Sequence, residues 1–551
     1  MGQTSIPRKN IKDTNSSTMN SCSGSARIPP YAWKVLAVLS CIATMVMYAE
    51  TMLIPAIPDL IKYFHVSYGM SSWILTAYLV SGAVMTPISG KLSDVYGRKK
   101  ILLIIMVIYA VGVSLSGFAT NIYFMLVARA IQGIGMSMFP IAFSIVRDQF
   151  PREKMSIGQG IITSMFASGA VVGLAVGGII IQNYGWRMTF FTIIPIAIAL
   201  LLIIRRFIRV DDRPVRHELQ EIPEINQKQS RIVEKVNVIT KREKKNKNKQ
   251  LAHNIDIKGS VTLAATVTLF LLTLTFIETS GSSNIDVPNV NEFPYIHTNK
   301  HSFQPLLPSL VAGATASLIM FIIIERRSQN PLVDFKLMLN KSILPANLII
   351  MIVGLSMFMV FQTIPILIRN PEPIGFSEDA ITTGKVQLPF AIILLIFGPT
   401  SGFIISKLGS LKPLIAGTII TTIGFFSLLV FHSTELLIST NLAVLSTGLS
   451  LTSVGAMNVI ILSTPRQFSG VSLGMSTLMR IIGSSIGPAL AGMYMQTHQS
   501  LLNIHGVAQH FPSSGSFNLI FLSAAVLSIA SVALAIILRR RVIKMAIPNL
   551  A

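Results

Sequence analysis

Three charged side chains lie deep inside long apolar segments of this 551-residue chain, and they are the groups best suited to chemistry. Glu50 is the only acid well inside such a segment, and Arg129 and Arg480 are the deeply placed bases. Ionisable groups are costly in hydrocarbon and therefore indicate a functional site. A carboxylate in this setting can bind a proton or a cation, whereas a guanidinium can neutralise the acid or bind an anion.

The elements that must position these residues are membrane-spanning helices. The chain is 51% hydrophobic and only 12% charged, with a mean hydropathy of +0.63, whereas a soluble protein carries about 25% charged residues. Because a helix needs about 20 apolar residues to cross a bilayer, we predict an all-α integral membrane protein with fourteen spans. The spans lie near residues 33–56, 70–90, 100–119, 122–146, 157–180, 187–208, 258–279, 305–325, 343–368, 379–406, 411–431, 436–461, 468–495 and 517–538.

The basic residues predict how the spans are oriented. With both termini in the cytoplasm, 38 of the 45 Lys and Arg residues fall in cytoplasmic segments and three fall within spans. The remaining four lie on the outer side, at Lys62, Arg187, Lys300 and Arg369. This asymmetry is typical of multi-pass proteins of the plasma membrane. It also accounts for the net charge of +22 without a nucleic-acid partner.

A short basic turn between the second and third spans reads Gly90-Lys-Leu-Ser-Asp94-Val-Tyr-Gly97-Arg98-Lys-Lys100. The first glycine permits close helix approach, and the second permits a tight reversal. The stretch resembles the loop between helices 2 and 3 of the major facilitator superfamily, whose pattern is Gly-x-Leu-x-Asp-x-x-Gly-Arg-Lys/Arg-x. The resemblance implies a secondary transporter in which Gly90, Asp94, Gly97 and Arg98 form a conformational latch of the outward-open state.

The same turn recurs in the second half of the chain. Residues 89–100 align without gaps on 401–412, and residues 169–178 align on 483–492. The offsets of 312 and 314 residues are nearly equal and indicate a duplication. Transporter repeats of this kind place the binding site at their interface, near the middle of the membrane. Serines replace the acid and the arginine in the second copy, so we expect the first turn to be the main latch.

Span five carries glycines four residues apart, a spacing that lets two helices approach closely. The segment resembles the antiporter signature Gly-x3-Gly-Pro-x2-Gly-Gly, with Leu174 at the proline position. A helix-packing face without any antiporter role is the alternative interpretation. The matching residues are Gly169, Gly173, Gly177 and Gly178, and in the second copy Gly487 and Pro488.

Arg129 opens the stretch Arg129-Ala-Ile-Gln-Gly133-Ile-Gly, which resembles the superfamily's fourth-helix motif, Arg-x-x-Gln-Gly-x-Gly. At about 1.5 Å per residue, Arg129 and Glu50 reach similar depths in a hydrocarbon core of about 30 Å. Helices one and four are neighbours in the family's fold, so we predict a Glu50–Arg129 pair for which a proton or a cationic substrate competes. The alternative is a permanent ion pair that only orders the helices. Arg480 either binds an anionic substrate group or pairs internally.

One departure from the family pattern concerns the register of the acid. The fourteen-helix drug:proton antiporters commonly carry an aspartate where Ala49 stands, and Glu50 is one residue further on. The carboxylate therefore faces about 100° away unless the span is locally unwound.

The resemblance divides the chain into two six-helix bundles related by a pseudo-twofold repeat, with an inserted helix pair as in the fourteen-helix branch of drug:proton antiporters. The basic linker between the bundles is either a solvated tether at the lipid headgroups or a docking site for a partner. The expected segments are a tail (1–32), the first bundle (33–209), the linker (210–257), the inserted pair (258–325), a loop (326–342), the second bundle (343–539) and a tail (540–551).

The sequence thus predicts a monomeric transporter that works by alternating access and exports a small amphiphilic or cationic compound against proton entry. We expect no enzyme activity, no metal, and no cofactor beyond the proton gradient. Its expected partners are the substrate, protons and the lipid bilayer. A proton symporter or facilitator of a polar metabolite or organic anion is the alternative, with Arg480 as anion ligand. A second alternative is a membrane sensor or scaffold that signals through the linker.

Overall fold

The computed structural model describes residues 28–151, 155–208, 257–281, 306–328, 335–464, 469–504 and 507–546. Almost all of the predicted basic linker and most of the amino-terminal tail lie outside the described residues. Within the described part, the architecture is helical throughout, apart from one β-hairpin.

The first half of the chain forms eight helices that make six spans. Short 3-10 turns at Ile54–Ala56 and Ile134–Ser137 join α1 to α2 and α5 to α6, so each pair makes one span. The helices are α1 (Pro30–Thr51), α2 (Ile57–Phe64), α3 (Tyr68–Tyr96), α4 (Arg98–Gly117), α5 (Ile122–Gly133), α6 (Met138–Gln149), α7 (Met155–Tyr184) and α8 (Trp186–Phe207).

The second half begins with the inserted pair and continues with six long helices. The elements are α9 (Ile257–Gly281), α10 (Leu306–Arg327), α11 (Phe335–Met338), α12 (Ile343–Arg369), α13 (Ala380–Leu408), α14 (Leu411–Val430), α15 (Glu435–Ser463), α16 (Ser469–Thr497), β1 (Gln499–Ile504), β2 (Val507–Pro512) and α17 (Ser514–Ala546). The antiparallel β1–β2 hairpin lies in a loop for which the sequence predicted no structure.

The described residues contain a helical segment for each of the fourteen predicted spans. Eleven of these segments are long and apolar enough to cross a membrane. Their outward faces carry large apolar side chains, such as Val111 on α4 and Ile319 on α10, which are about half exposed. In a bilayer these side chains meet lipid, so the predicted all-α membrane fold is confirmed.

The sequence duplication reappears as a repeated packing arrangement. In the first half α7 packs on α1, and in the second half α16 packs on α12. Across the halves, α7 packs on α13 and α16 packs on α3. These four helices, α3, α7, α13 and α16, form the seam between the bundles.

The inserted pair lies beside this seam. Helix α9 packs on α10 and also contacts both α3 and α16. The pair is joined by a 3.0 Å hydrogen bond between the Thr266 and Ser317 hydroxyls, and Ser317 also donates to the Thr262 carbonyl at 3.1 Å. Small polar residues of this kind let membrane helices associate closely.

Candidate functional site

Glu50 lies near the carboxyl end of α1, immediately before a break in the first span. Helix α1 ends at Thr51, and the 3-10 turn precedes α2. The break follows from the sequence because Pro55 and Pro58 have no amide hydrogen to donate. The Glu50 side chain is only 2% exposed, and its Oε2 accepts no hydrogen bond from the described residues. A buried acid therefore stands next to a point where the span can bend.

Arg129 lies near the end of α5, just before the corresponding 3-10 break in the fourth span, and is fully buried. Its Nε donates to the Ile74 carbonyl at 3.0 Å, and its Nη1 donates to Gln132 Oε1 at 2.9 Å. The guanidinium carbon lies 4.6 Å from the centre of the Tyr78 ring, a cation–π contact. These contacts hold the arginine against α3.

One arginine from each half of the chain acts on Glu50. Arg480 lies midway along α16 and keeps part of its surface exposed. The positive charges of Arg480 and Arg129 both act electrostatically on the Glu50 carboxylate. Among the described residues, the Arg129 guanidinium donates its hydrogen bonds to Ile74 and Gln132 and not to Glu50. A direct Glu50–Arg129 ion pair therefore stays a prediction.

The glycine motif of α7 packs against the helix that carries Glu50. Side chains added at Gly169, Gly173 or Gly177 would collide with the α1 backbone between Thr44 and Met52. In the second copy, a side chain at Gly487 would collide with α12 in the same way. Pro488 lies inside α16, one residue later.

Two further positions of α7 contact the second half of the chain. A Cβ added at Gly178 would lie 2.7 Å from the Ala380 carbonyl, and one added at Gly384 would lie 2.7 Å from the Leu174 carbonyl. The residue at the proline position of the signature is thus a direct contact between α7 and α13. Gly133 has a different role, because its missing side chain lets α5 reach the Tyr78 carbonyl of α3.

The predicted latch lies at one end of the molecule, which we call the Gly97 end. Helix α3 continues to Tyr96 and α4 begins at Arg98, so the reversal is made by Gly97 alone, with a φ of 95°. Asp94 is in the last turn of α3, and its side chain is outside the described features. Helix α3 extends to Tyr96, beyond the predicted end of the second span at residue 90, so Asp94 belongs to α3.

The other latch residues show how open the Gly97 end is. Arg98 forms an ion pair with Asp148 of α6 and donates to the Ser144 carbonyl at 2.7 Å, two contacts within its own half. A Cβ added at Gly90 or at its copy, Gly402, would meet nothing within 4 Å. At these two positions, no described part of the other half approaches closely.

The opposite end, which we call the Asp59 end, is closed by contacts between the halves. Arg369, the last residue of α12, forms a two-pronged ion pair with Asp59 of α2, in which Nη2 lies 2.6 Å from Oδ1. Its Nη1 also donates to the Pro55 carbonyl at 3.3 Å. The sequence prediction missed this pair, although Arg369 was one of only four basic residues assigned to that side.

Hydrogen bonds between α3 and the second half extend this closure. The Tyr68 amide donates to Gln496 Oε1, and Gln362 Nε2 donates to the Ser71 hydroxyl, both at 3.2 Å. Thr76 adds a bond to a backbone carbonyl of α16. The halves are thus joined at the Asp59 end and separated around Gly90 at the Gly97 end.

Comparisons with known proteins agree with this architecture. The chain is 24% identical to the multidrug transporter protein MdtP of Bacillus subtilis (strain 168) over 442 residues, which cover 79% of this chain and 70% of that protein. It is also 24% identical to the multidrug resistance protein Stp of Mycobacterium tuberculosis (strain CDC 1551 / Oshkosh) over 440 residues, 79% of this chain and 71% of the relative.

A solved structure supports the same fold. The crystal structure of the human organic anion transporter MFSD10 (TETRAN) superposes with a TM-score of 0.56 and 14% identity, covering 92% of this chain and 100% of that chain. The family model of the Major Facilitator Superfamily matches residues 39–488. The chain therefore belongs to the major facilitator superfamily of membrane transporters.

Proposed function

We propose that this transporter exports small cationic, amphiphilic compounds in exchange for protons, by alternating access. The observation that carries the proposal is the placement of Glu50, a buried acid influenced by one arginine from each half. A proton and a cation cannot both neutralise one carboxylate, so each excludes the other. That competition is the minimal requirement of an antiporter. The relatives named as a multidrug transporter protein and a multidrug resistance protein support drug export as the activity.

The conformation supports the direction of transport. By the distribution of basic residues, the Gly97 end and both termini lie on the cytoplasmic side of the plasma membrane. The structure is closed at the Asp59 end, so we interpret it as the inward-facing state, ready to accept a compound from the cytoplasm. The predicted latch of Gly90, Asp94, Gly97 and Arg98 would then close the Gly97 end in the opposite state.

The closure at each end suggests how the halves move. Because α7 and α16 contact both their own half and the other half, they are suited to act as the pivots. Their glycine faces permit small rotations without loss of backbone contact. The protein would work as a single chain, since each half supplies one arginine near Glu50.

Everted membrane vesicles test the exchange. Adding ethidium to vesicles with an established proton gradient should dissipate the gradient in the wild type and should not do so in Glu50→Gln. Glu372→Gln, which removes an exposed acid from a loop at the Asp59 end, is the matched control and should behave as wild type. Undiminished coupling in Glu50→Gln would refute the role given to the acid.

A second candidate is proton-coupled uptake of an organic anion. Two arginines act on a single buried carboxylate, so the site carries excess positive charge. This reading predicts that a membrane-impermeant carboxylate dye accumulates in intact cells and that Arg480→Gln abolishes the accumulation. If Arg480→Gln loses cation export and the wild type accumulates no anionic dye, the first proposal is favoured. The sensor hypothesis depends on the linker, which lies outside the described residues, and it stays a prediction.

A further inference from the structure

A buried glutamine in the second half of the chain has no visible partner. Gln387 of α13 is 1% exposed, and neither its Nε2 nor its Oε1 makes a hydrogen bond with the described residues. A glutamine amide can donate two hydrogen bonds and accept two. Leaving all of them unused in a buried position is among the costlier arrangements in a protein. Such a group calls for a partner that arrives from elsewhere.

Contacts along α7 place Gln387 within about one helical turn of Glu50. On one side of α7, Gly173 packs on the Tyr48 carbonyl and Gly177 packs on the Met52 backbone, so Glu50 lies between the levels of these two glycines. On the other side, Gly384 of α13 packs on the Leu174 carbonyl. Three residues further along the antiparallel α13, Gln387 lies about 4.5 Å deeper than Gly384, which is about one helical turn from the level of Glu50.

The two groups flank α7 on adjacent sides. Gly173 faces α1 and Leu174 faces α13, and consecutive helical residues point about 100° apart. With axes about 8–10 Å from α7, α1 and α13 are roughly 14 Å apart at this level. Side chains of α1 and α13 can therefore reach toward each other beside α7.

Glu50 also faces the second half of the chain. Tyr48, two residues earlier, bonds to Thr192 of α8 at 3.1 Å, and residues two apart lie on nearly opposite helix faces. The influence of Arg480 on Glu50 agrees with that direction. Glu50 and Gln387 thus belong to two helices from opposite halves of the molecule that flank α7.

We propose that Gln387 is a substrate-binding residue that recognises a neutral hydrogen-bonding group, such as an amine, amide or hydroxyl, on a cation whose charge is bound by Glu50. This inference rests on the proposed function and narrows its substrate class. Binding satisfies the amide atoms that are unpartnered here, so preferred substrates carry both a positive charge and a hydrogen-bonding group a few ångströms away. Cations without such a group bind through charge and apolar contact alone.

Two cationic probes separate the contribution of hydrogen bonding to affinity from that of charge and apolar contact. Ethidium carries aromatic amines, whereas tetraphenylphosphonium has no hydrogen-bonding group. Gln387→Met keeps the side-chain length and removes the amide. We expect the Kd of ethidium for the purified, detergent-solubilised transporter to rise about 3–10-fold, the value of one to two hydrogen bonds. The Kd of tetraphenylphosphonium should stay within about twofold.

A matched control and a stability measurement complete the test. Gln182→Met makes the same change on α7, where the glutamine accepts a 3.4 Å bond from the Ala380 amide at the Asp59 end; both Kd values should stay as in wild type. Gln387→Met should not lower the apparent Tm, because it removes unpartnered polar atoms. If Gln387→Met raised the Kd of both probes equally, or left the Kd of ethidium unchanged, the assignment would be overturned while the proposed function stayed intact. A wild type that binds neither cation would overturn both.

Discussion

At the scale of single residues, the site is defined by charges whose surroundings differ. Glu50 is buried and accepts no hydrogen bond at Oε2 from the described residues, whereas Arg129 is held by two hydrogen bonds and an aromatic ring. The acid thus keeps one carboxylate oxygen available to a ligand, whereas the arginine is fixed against α3. Arg129 is therefore expected to matter for folding as well as for transport.

Replacing Arg129 tests that structural role. In Arg129→Gln the Ile74 carbonyl and the Gln132 side chain lose their partner inside a buried site, which should cost about 2–4 kcal/mol of stability. Thermal unfolding of the detergent-solubilised protein measures the loss. Lys385→Gln, at an exposed position on α13, should leave the stability unchanged. An unaltered unfolding temperature in Arg129→Gln would show that the arginine is not needed for packing.

At the scale of helices, the glycines of α7 decide how closely the spans approach. The face formed by Gly169, Gly173 and Gly177 lies directly on the backbone of α1. In α16 Gly483 and Gly487 occupy the places of Gly169 and Gly173, and Ala491 occupies that of Gly177; Gly483 and Gly487 lie on the backbone of α12. The identity of the neighbouring helix could not be read from the repeat alone.

Gly173→Ala tests the close approach. The added methyl group would collide with Thr51 and with the Tyr48 carbonyl, and overpacking of this kind typically costs about 1–3 kcal/mol. Gly402→Ala adds the same methyl group where nothing lies within 4 Å. The first variant should unfold at a lower temperature than wild type, and the second should not. Equal stability of the two would mean that α7 and α1 are less tightly packed than described.

The same scale includes the contact between α2 and α12. In Arg369→Asp two acids face each other at the Asp59 end, and the seam should open more often. Hydrogen–deuterium exchange of α2 and of the last turn of α12 should rise about tenfold or more. The swapped double variant Asp59→Arg with Arg369→Asp should restore most of the protection, whereas Lys62→Asp, a change at the neighbouring exposed base, should have little effect. Failure of the swap to restore protection would argue against a specific pair.

At the scale of the whole molecule, the sequence predicted the features that depend on local composition. Apolar runs predicted the spans, and the glycine repeats predicted the two related bundles. It missed the Asp59–Arg369 pair because the two residues are 310 positions apart, and no local pattern links them. The sequence analysis considered charged residues and so overlooked Gln387. The free-energy cost of burying a neutral amide depends on its hydrogen-bond partners, which the sequence does not show. The sequence did not predict the break after Thr51. Local unwinding of the span was considered only as a way for Glu50 to face in the direction that the family pattern implies.

The account as a whole depends on a proton and a cation competing for Glu50, and proton release measures that competition directly. Tetraphenylphosphonium is added to the purified transporter in weakly buffered solution near neutral pH, and the pH change is recorded. Wild type should release protons in proportion to the cation bound, up to about one per transporter because one carboxylate is exchanged. Glu50→Gln should release none, while Glu372→Gln should match wild type. Equal proton release by Glu50→Gln and wild type would contradict the account.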